Sequence, residues 1–411
     1  MSLFKSISIY TAISFFTGGI SFLLLPVLTQ YLGPADYGLL ALFNASVNLF
    51  SVLIPVGMGY LLGVYIIEKE ALFPMILRSY IQITFFISLL LTLVLFFLSL
   101  FFKNFTSLPN YLLLALPLVA LLVIYFDACT TYFVYKRTIK QYSFFFLSKF
   151  FIEIILILLL VVVFPFSWKG RVASLIISLL LINVVATIYF VKRGIIAKQK
   201  SRIKIPKELI NKGYPLLFMG ISIMVINLSD RFFLERLVGL SETGIYNIAS
   251  TVAGIMLIII GASVNVVRTA IFSFYKKKKG FRELVGLFVK YTLILILVMV
   301  VLLLITPFIF KYLINERYME AKQYIPILVF GLFFWGVYNF LVSIPMYFKQ
   351  NKQIGIISIL GIVVNLLLNY FFISSYQTIG AAYSTLCTYA FISVSMLLLI
   401  LFNPKLKPDV L

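Results

Sequence analysis

The sequence predicts an all-α membrane protein of about 12 transmembrane helices, in two six-helix bundles related by a parallel repeat. Three observations predict it. Of 411 residues, 63% are hydrophobic and only 11% are charged, well below the roughly 25% charged residues of soluble domains, so the solvent of this chain is lipid. Charge-free stretches long enough to span a bilayer, about 20 residues each, recur at 79–102, 104–126, 172–191, 243–267, 291–310 and 323–348. Finally, one short pattern occurs twice. "QYLGPADYGLLALFNAS" at Gln30–Ser46 and "RLVGLSETGIYNIAST" at Arg236–Thr251 align at an offset of 206, half of the chain. Leu28 then falls on Leu234, Gly33 on Gly239, Asp36 on Glu242 and Gly38 on Gly244.

Taken in order, the spans are predicted at 6–31, 38–66, 79–102, 109–133, 143–167, 171–191, 213–237, 243–273, 287–313, 324–348, 354–374 and 379–402. Gly, Pro, Asn and charge clusters separate them. The N-terminus is similar to a signal peptide, but its apolar run to Tyr31 is too long for one and lacks a small-residue cleavage site. It reads as a retained first span. The last two spans share one charge-free run, 353–404, which "SSYQTIG" at Ser374–Gly380 divides. In the repeated motif, Gly33 and Gly239 can end a helix, Pro34 cannot continue one, and Asp36 and Ser241 can cap the next. Each copy is therefore a tight hairpin joining the first two spans of its half. Six spans is an even number, so both halves enter from the same side. The predicted divisions are a bundle at 1–195, a basic linker at 196–212 and a bundle at 213–411.

The net charge of +21 follows this topology. Twenty-four of the 34 Lys and Arg fall on the side of the N-terminus, seven fall on the other side, and Lys149, Arg231 and Arg268 lie within spans. That asymmetry places both termini in the cytoplasm. The linker, the longest basic loop, is suited to anionic membrane lipid. No soluble domain is left to bind nucleic acid. The chain has no histidine, its cysteines Cys129 and Cys387 lie far apart, and no GxxxxGK[ST] loop occurs. No catalytic residue, metal site or cofactor is expected, nor an ATP-driven pump.

"PVLTQYLGPADYGLLALFNA" and "NLSDRFFLERLVGLSETGIYNIAS" resemble the polysaccharide transporter family. These are the Wzx-type O-antigen and capsule oligosaccharide-lipid flippases of the multidrug/oligosaccharidyl-lipid/polysaccharide exporter superfamily. The resemblance implies two bundles that alternate between inward- and outward-open states in a bacterial cytoplasmic membrane. It implies an undecaprenyl-diphosphate-linked oligosaccharide as substrate, flipped outward; a polysaccharide polymerase is a candidate partner. It carries over no site residue.

Ionisable groups inside spans are costly and usually face a partner or a cavity. Lys149 and Glu153, an i,i+4 pair deep in span five, fit either a structural ion pair or a cavity face. Asp127 lies near the inner end of span four, and Asp230 and Arg231 near the outer end of span seven. Adjacent residues point about 100° apart, so Arg231 is expected to share a face with Glu235 rather than with Asp230. Arg268, near the cytoplasmic end of span eight, either snorkels or grips a diphosphate. Among the span asparagines, Asn44 and Asn247 fit sugar binding or interhelical contact equally. Arg268, Arg231, Lys149, Asn44 and Asn247 are the candidates for substrate, and Glu153, Asp127 and Asp230 for ion coupling. A multidrug and toxin extrusion cation antiporter is the nearest alternative; it would favour buried acids. A membrane glycosyltransferase or polymerase would need a large outer loop with catalytic acids, where only Glu316 and Glu320 lie close together.

Overall fold

The computed structural model describes residues 20–68, 72–101, 106–196, 207–277 and 280–406. Most of the predicted first span, before residue 20, and residues 197–206 of the linker lie outside the described residues. Among the described residues every regular element is helical. Besides a single turn at Ile20–Leu23 and short 3₁₀ and π segments, they are α1 (Leu25–Tyr31), α2 (Pro34–Leu53), α3 (Gly59–Glu68), α4 (Phe73–Phe101), α5 (Asn110–Tyr135), α6 (Ile139–Ile157), α7 (Ser167–Lys192), α8 (Lys207–Leu237), α9 (Leu240–Lys276), α10 (Phe281–Tyr312), α11 (Ile325–Tyr347), α12 (Asn351–Tyr376) and α13 (Thr378–Phe402). Among the described residues ten helices are long and apolar enough to cross a membrane. α3 completes the span that α2 begins, α1 ends the first span, and α8, about 46 Å long at 1.5 Å per residue, takes the seventh place. The chain is thus an all-α protein of twelve spans.

Helices overrun the predicted spans. α4 begins at Phe73 and α10 at Phe281, because a hydropathy run stops at Arg78 or Lys290 while a helix does not. Long basic side chains extend along apolar surface and carry their charge outward. Span two, expected as one helix, is interrupted at 54–58. Pro55 lacks a donor and its ring clashes with the preceding turn, and Val56 (φ 49°) and Gly57 (φ 74°) turn left-handed. A β-branched residue in that region is strained. Non-helical backbone at membrane depth is tolerated only where it lines a cavity or is buried in protein.

The chain forms two compact units. The first is Leu39–Met224. In it, α6 runs into a π turn at Leu158–Val163, and Gly170 of α7 lies against the Leu160 carbonyl so closely that no Cβ fits. The second unit is Gly18–Gly38 with Val225–Leu411. Its core lies among α9, α11 and α13, with Ala249, Val252, Met256, Val329, Ala381 and Met396 fully buried. Gly380 faces the Phe372 carbonyl in the last hairpin of its half, as Gly170 does in the other unit.

The two copies of the repeated motif touch within this second unit. Gly38 lies against the Leu240 carbonyl, and Gly244 against the Pro34 carbonyl. Leu240 and Pro34 are themselves related by the offset of 206, so each copy offers the same carbonyl to the other's glycine. Only a residue without Cβ allows backbones this close. Tyr318, in the short 3₁₀ segment Glu316–Gln323, locks the first hairpin by donating to the Leu32 carbonyl at 2.9 Å. Burial, with Tyr37 and Asp36 adding to it, pushes its phenol well above the ordinary range, so the donor proton is retained.

Candidate functional site

In the second unit, α8, α9, α12 and α13 bring together a buried polar network. Its charged centre is Asp230 and Arg231, adjacent on α8. Arg231 Nη1 lies 2.7 Å from Asp230 Oδ1 and also donates to the Asn227 carbonyl at 2.7 Å. Tyr246, fully buried on α9, donates to Asp230 Oδ2 at 2.7 Å. The guanidinium lies 5.8 Å from the Tyr246 ring centroid. Tyr389 of α13 donates to Asn227 Oδ1 and packs against Trp335 of α11. Ser229, next to Asp230 on α8, donates to Asn365 Oδ1 (2.8 Å), and Asn369 donates to Ser229 (3.0 Å). Asn365 donates to Thr388 of α13 (3.2 Å), while the buried Asn369 Oδ1 has no partner among the described residues.

This corrects one expectation. Arg231 engages Asp230, its neighbour in sequence. The 100° between adjacent Cβ directions limits short side chains, but a guanidinium on three methylenes reaches across it. The network also adds residues that the sequence reading passed over. Tyr246 and Tyr389 were indistinguishable by composition from the other 23 tyrosines; their distinguishing feature is burial, which one sequence does not display. Arg268 stands apart from this cluster, about 33 Å along α9 from Tyr246 at 1.5 Å per residue. It is half-buried, and its Nε is buried with no partner among the described residues. Asn247 is half-buried on α9.

In the first unit, Lys149 and Glu153 of α6 form the expected i,i+4 pair, and a third charge joins them. Arg171 of α7, counted from the sequence among the outer-side loop charges, places Nη1 2.8 Å from Glu153 Oε1. Glu153 is 2% exposed between two cations, so the triad carries a net +1. Asn44 is exposed on α2.

Asp127 of α5 has a different setting. Its carboxylate makes no hydrogen bond or ion pair among the described residues, and it opens into a cavity of about 430 Å³. Asn48, Ser51, Tyr80, Thr130 and Thr131 line that cavity with it, as do Pro55, Gly57 and Gly59 of the interrupted span. The missing helical turn therefore makes room beside a lone carboxylate. A second, larger cavity of about 640 Å³ adjoins it, and Tyr80 and Ile124 border both. Its walls are apolar and come from α4, α5 and α7.

Solved transporters of the MOP superfamily share this helical architecture. The fold is similar to a multidrug resistance MATE family transporter of that superfamily in its inward-facing conformation (TM-score 0.70, 13% identity, 97% of this chain and 94% of that one). It is also similar to a MOP superfamily transporter from Pyrococcus furiosus described as having a binding pocket of reverse polarity (TM-score 0.68, 12% identity, 97% and 94%). A third likeness is to the eukaryotic MATE transporter AtDTX14 (TM-score 0.57, 15% identity, 99% and 97%). The family model described as polysaccharide biosynthesis protein matches residues 3–273. The MatE model matches residues 215–371. The chain belongs to the polysaccharide biosynthesis protein family. No curated protein matches it.

Proposed function

We propose that this chain is a flippase for undecaprenyl-diphosphate-linked oligosaccharide repeat units. It would carry them from the inner to the outer leaflet of a bacterial cytoplasmic membrane, for surface polysaccharide assembly by a downstream polymerase. Family membership supports the substrate class. Solved MATE relatives in inward-facing and outward-facing conformations support alternating access. The observation that carries the reading is Arg268. A buried guanidinium N–H without an acceptor calls for one from outside the protein. A diphosphate oxygen supplies it in the geometry that Arg prefers. Arg231 and Lys149, with the surplus positive charge of the Glu153 triad, add to an interior suited to an anionic headgroup, and Asn44 and Asn247 are available to sugar hydroxyls.

The test uses full-length protein in proteoliposomes with a fluorescent prenyl-diphosphate oligosaccharide. Losing a charge-assisted hydrogen bond of about 1.5–3 kcal/mol corresponds to flipping slowed about 10- to 150-fold in Arg268→Ala, with Arg268→Lys in between. Wild-type rates in both variants would remove Arg268 from the site. Proton antiport is the proposed drive, with Glu153, Asp127 and Asp230 as its candidate carboxylates. At Glu153 a proton can be carried only in a state in which Lys149 or Arg171 has moved off. Glu153→Gln, at matched protein, should leave flipping insensitive to an imposed pH gradient; an unchanged response would make the residue structural.

A second reading, cation export, is favoured by the MatE match and by the lone Asp127 carboxylate. Efflux of a fluorescent organic cation without prenyl-diphosphate flipping would replace the flippase reading with it.

A further inference from the structure

We infer that the first unit holds one phospholipid with an ammonium headgroup, its chain in the apolar groove and its amine against Asp127. The two adjoining cavities have opposite character. The groove is walled by Phe85, Phe86, Leu121, Leu180, Val184 and Ile188, and Phe85, Phe86, Leu180, Val184 and Ile188 are exposed on the apolar surface of their helices. The recess is lined by Asn48, Ser51, Thr130 and Thr131, and Asp127 is the single charged residue on its wall. Tyr80, 4% exposed, divides the two.

Their side-by-side placement offers a polar site beside an apolar one. On α5, which ends at Tyr135, the recess is bordered by residues from Val123 to Thr131, and the groove by residues from Leu121 to Tyr125. On α4, which begins at Phe73, the recess reaches Tyr80 alone, while the groove runs on to Phe86. On these two helices the polar chamber lies nearer the end where α4 starts and α5 stops, but on α7 the groove comes within four residues of Lys192 and on α2 the recess reaches Asn48, so the two chambers lie side by side at overlapping depths. By the positive-inside count that end is cytoplasmic. A lipid of the inner leaflet would set its head sideways into the recess and one acyl chain in the groove. The charge selects among heads. Lys149 of α6 acts on Asp127 only through space, without contact, and a carboxylate without a contacting partner at this depth is unfavourable until a cation or proton reaches it. An ammonium supplies both charge and donors, whereas an anionic glycerol head adds repulsion. The amine would lie about 12 Å inside the end of α5, eight residues at 1.5 Å each. The freed backbone around Pro55–Gly59 leaves that chamber open.

The experiment reconstitutes the full chain in nanodiscs with phosphatidylethanolamine or phosphatidylglycerol carrying a diazirine on one acyl chain. Photolabelled peptides are then mapped. We expect label in α4 and α7, with the ethanolamine lipid preferred about tenfold, the worth of one charge-assisted hydrogen bond. Asp127→Asn should reduce that preference to near unity, and Asp127→Glu should restore most of it. Val184→Trp, which fills the groove and leaves Asp127 in place, should lower labelling by both lipids. Equal labelling by the two lipids in the wild-type protein would overturn the inference, as would a preference that survives Asp127→Asn. Stronger competition by a single-chain alkyl ammonium than by the ethanolamine lipid would assign the site to lipophilic cations and overturn it too.

Discussion

In Leu39–Met224, Glu153 is held between Lys149 and Arg171, three charges on two helices with one positive charge left over. In the Val225–Leu411 part, Asp230 and Arg231 neutralise each other, Tyr246 of α9 donates to Asp230, the Asn227 carbonyl accepts from Arg231, and neutral side chains on α8, α12 and α13 hydrogen-bond one another beside the pair. Both arrangements keep charge inside a lipid-solvated protein, by different means. A salt cluster depends on charge and tolerates changes of direction. A hydrogen-bond network depends on direction and ties more helices together. The first unit is therefore expected to be most sensitive to neutralisation, and the second to loss of a hydroxyl or amide at constant charge.

The largest effect should come from Glu153→Gln. It leaves two cations facing each other with a neutral amide between them. Breaking a buried ion pair in this way costs about 3–5 kcal/mol, read as a fall in the detergent melting temperature. Replacing Lys149 by Met in the same chain should recover a large part of the loss. Asp230→Asn is the matched change in the other unit. Its amide oxygen can still accept from Tyr246, so its cost should be smaller. The reverse ranking would break the comparison. Next in size is Tyr246→Phe, which removes a hydroxyl bonded to a carboxylate and changes no charge. It should cost about 1.5–3 kcal/mol, measured by the same melt, and a neutral result would show that Asp230 finds another donor.

The contact between the two hairpin copies gives a sharper test of backbone packing. Gly244→Ala and Gly38→Ala each place a methyl against a carbonyl of the other copy. Such overpacking costs about 1–3 kcal/mol. Gly254, also on α9, has open space where a Cβ would go. Gly254→Ala should instead stabilise by about 0.5–1 kcal/mol through helix propensity. Opposite signs on one helix would establish that close approach, not glycine itself, is what the motif requires.

The fold was largely legible in the sequence, because hydropathy reports directly on burial in lipid and the spans stand out as apolar runs, the last two sharing one run that SSYQTIG divides. The break at Pro55–Gly57 was only half legible: proline flags a bend, but nothing local says that Val56 turns left-handed rather than the helix kinking and continuing. The repeat was visible as a pattern, yet its reason was not, since the contact of Gly38 with Leu240 joins residues about half a chain apart. The site was less legible still. Lys149–Glu153 obeys a helix rule and was readable from spacing. Arg171 was not, because a cation one turn inside a helix start reads from sequence as a loop charge. Tyr246, Tyr389 and Asn365 converge through four helices, and convergence is a property of the packing.

Arg171 also allows the finest test of the contrast between the units. It contributes one Nη1–Oε1 contact of 2.8 Å to Glu153, and no second contact of the guanidinium with that carboxylate is seen among the described residues. Removing it as Arg171→Met loses a hydrogen bond to a charged group but leaves Lys149 and Glu153 as a neutral pair. The gain from deleting a surplus buried charge offsets much of the lost bond. The net cost should be about 1 kcal/mol, far below that of Glu153→Gln, although both substitutions remove a charge from the same cluster. A cost as large as that of Glu153→Gln would mean that the triad is a single unit with no charge to spare. A small cost combined with slower flipping of the diphosphate substrate would mean that the surplus charge serves the cargo rather than the fold. That outcome would tie the first unit's excess of cations to transport, while the balanced pair in the second unit holds its helices in place.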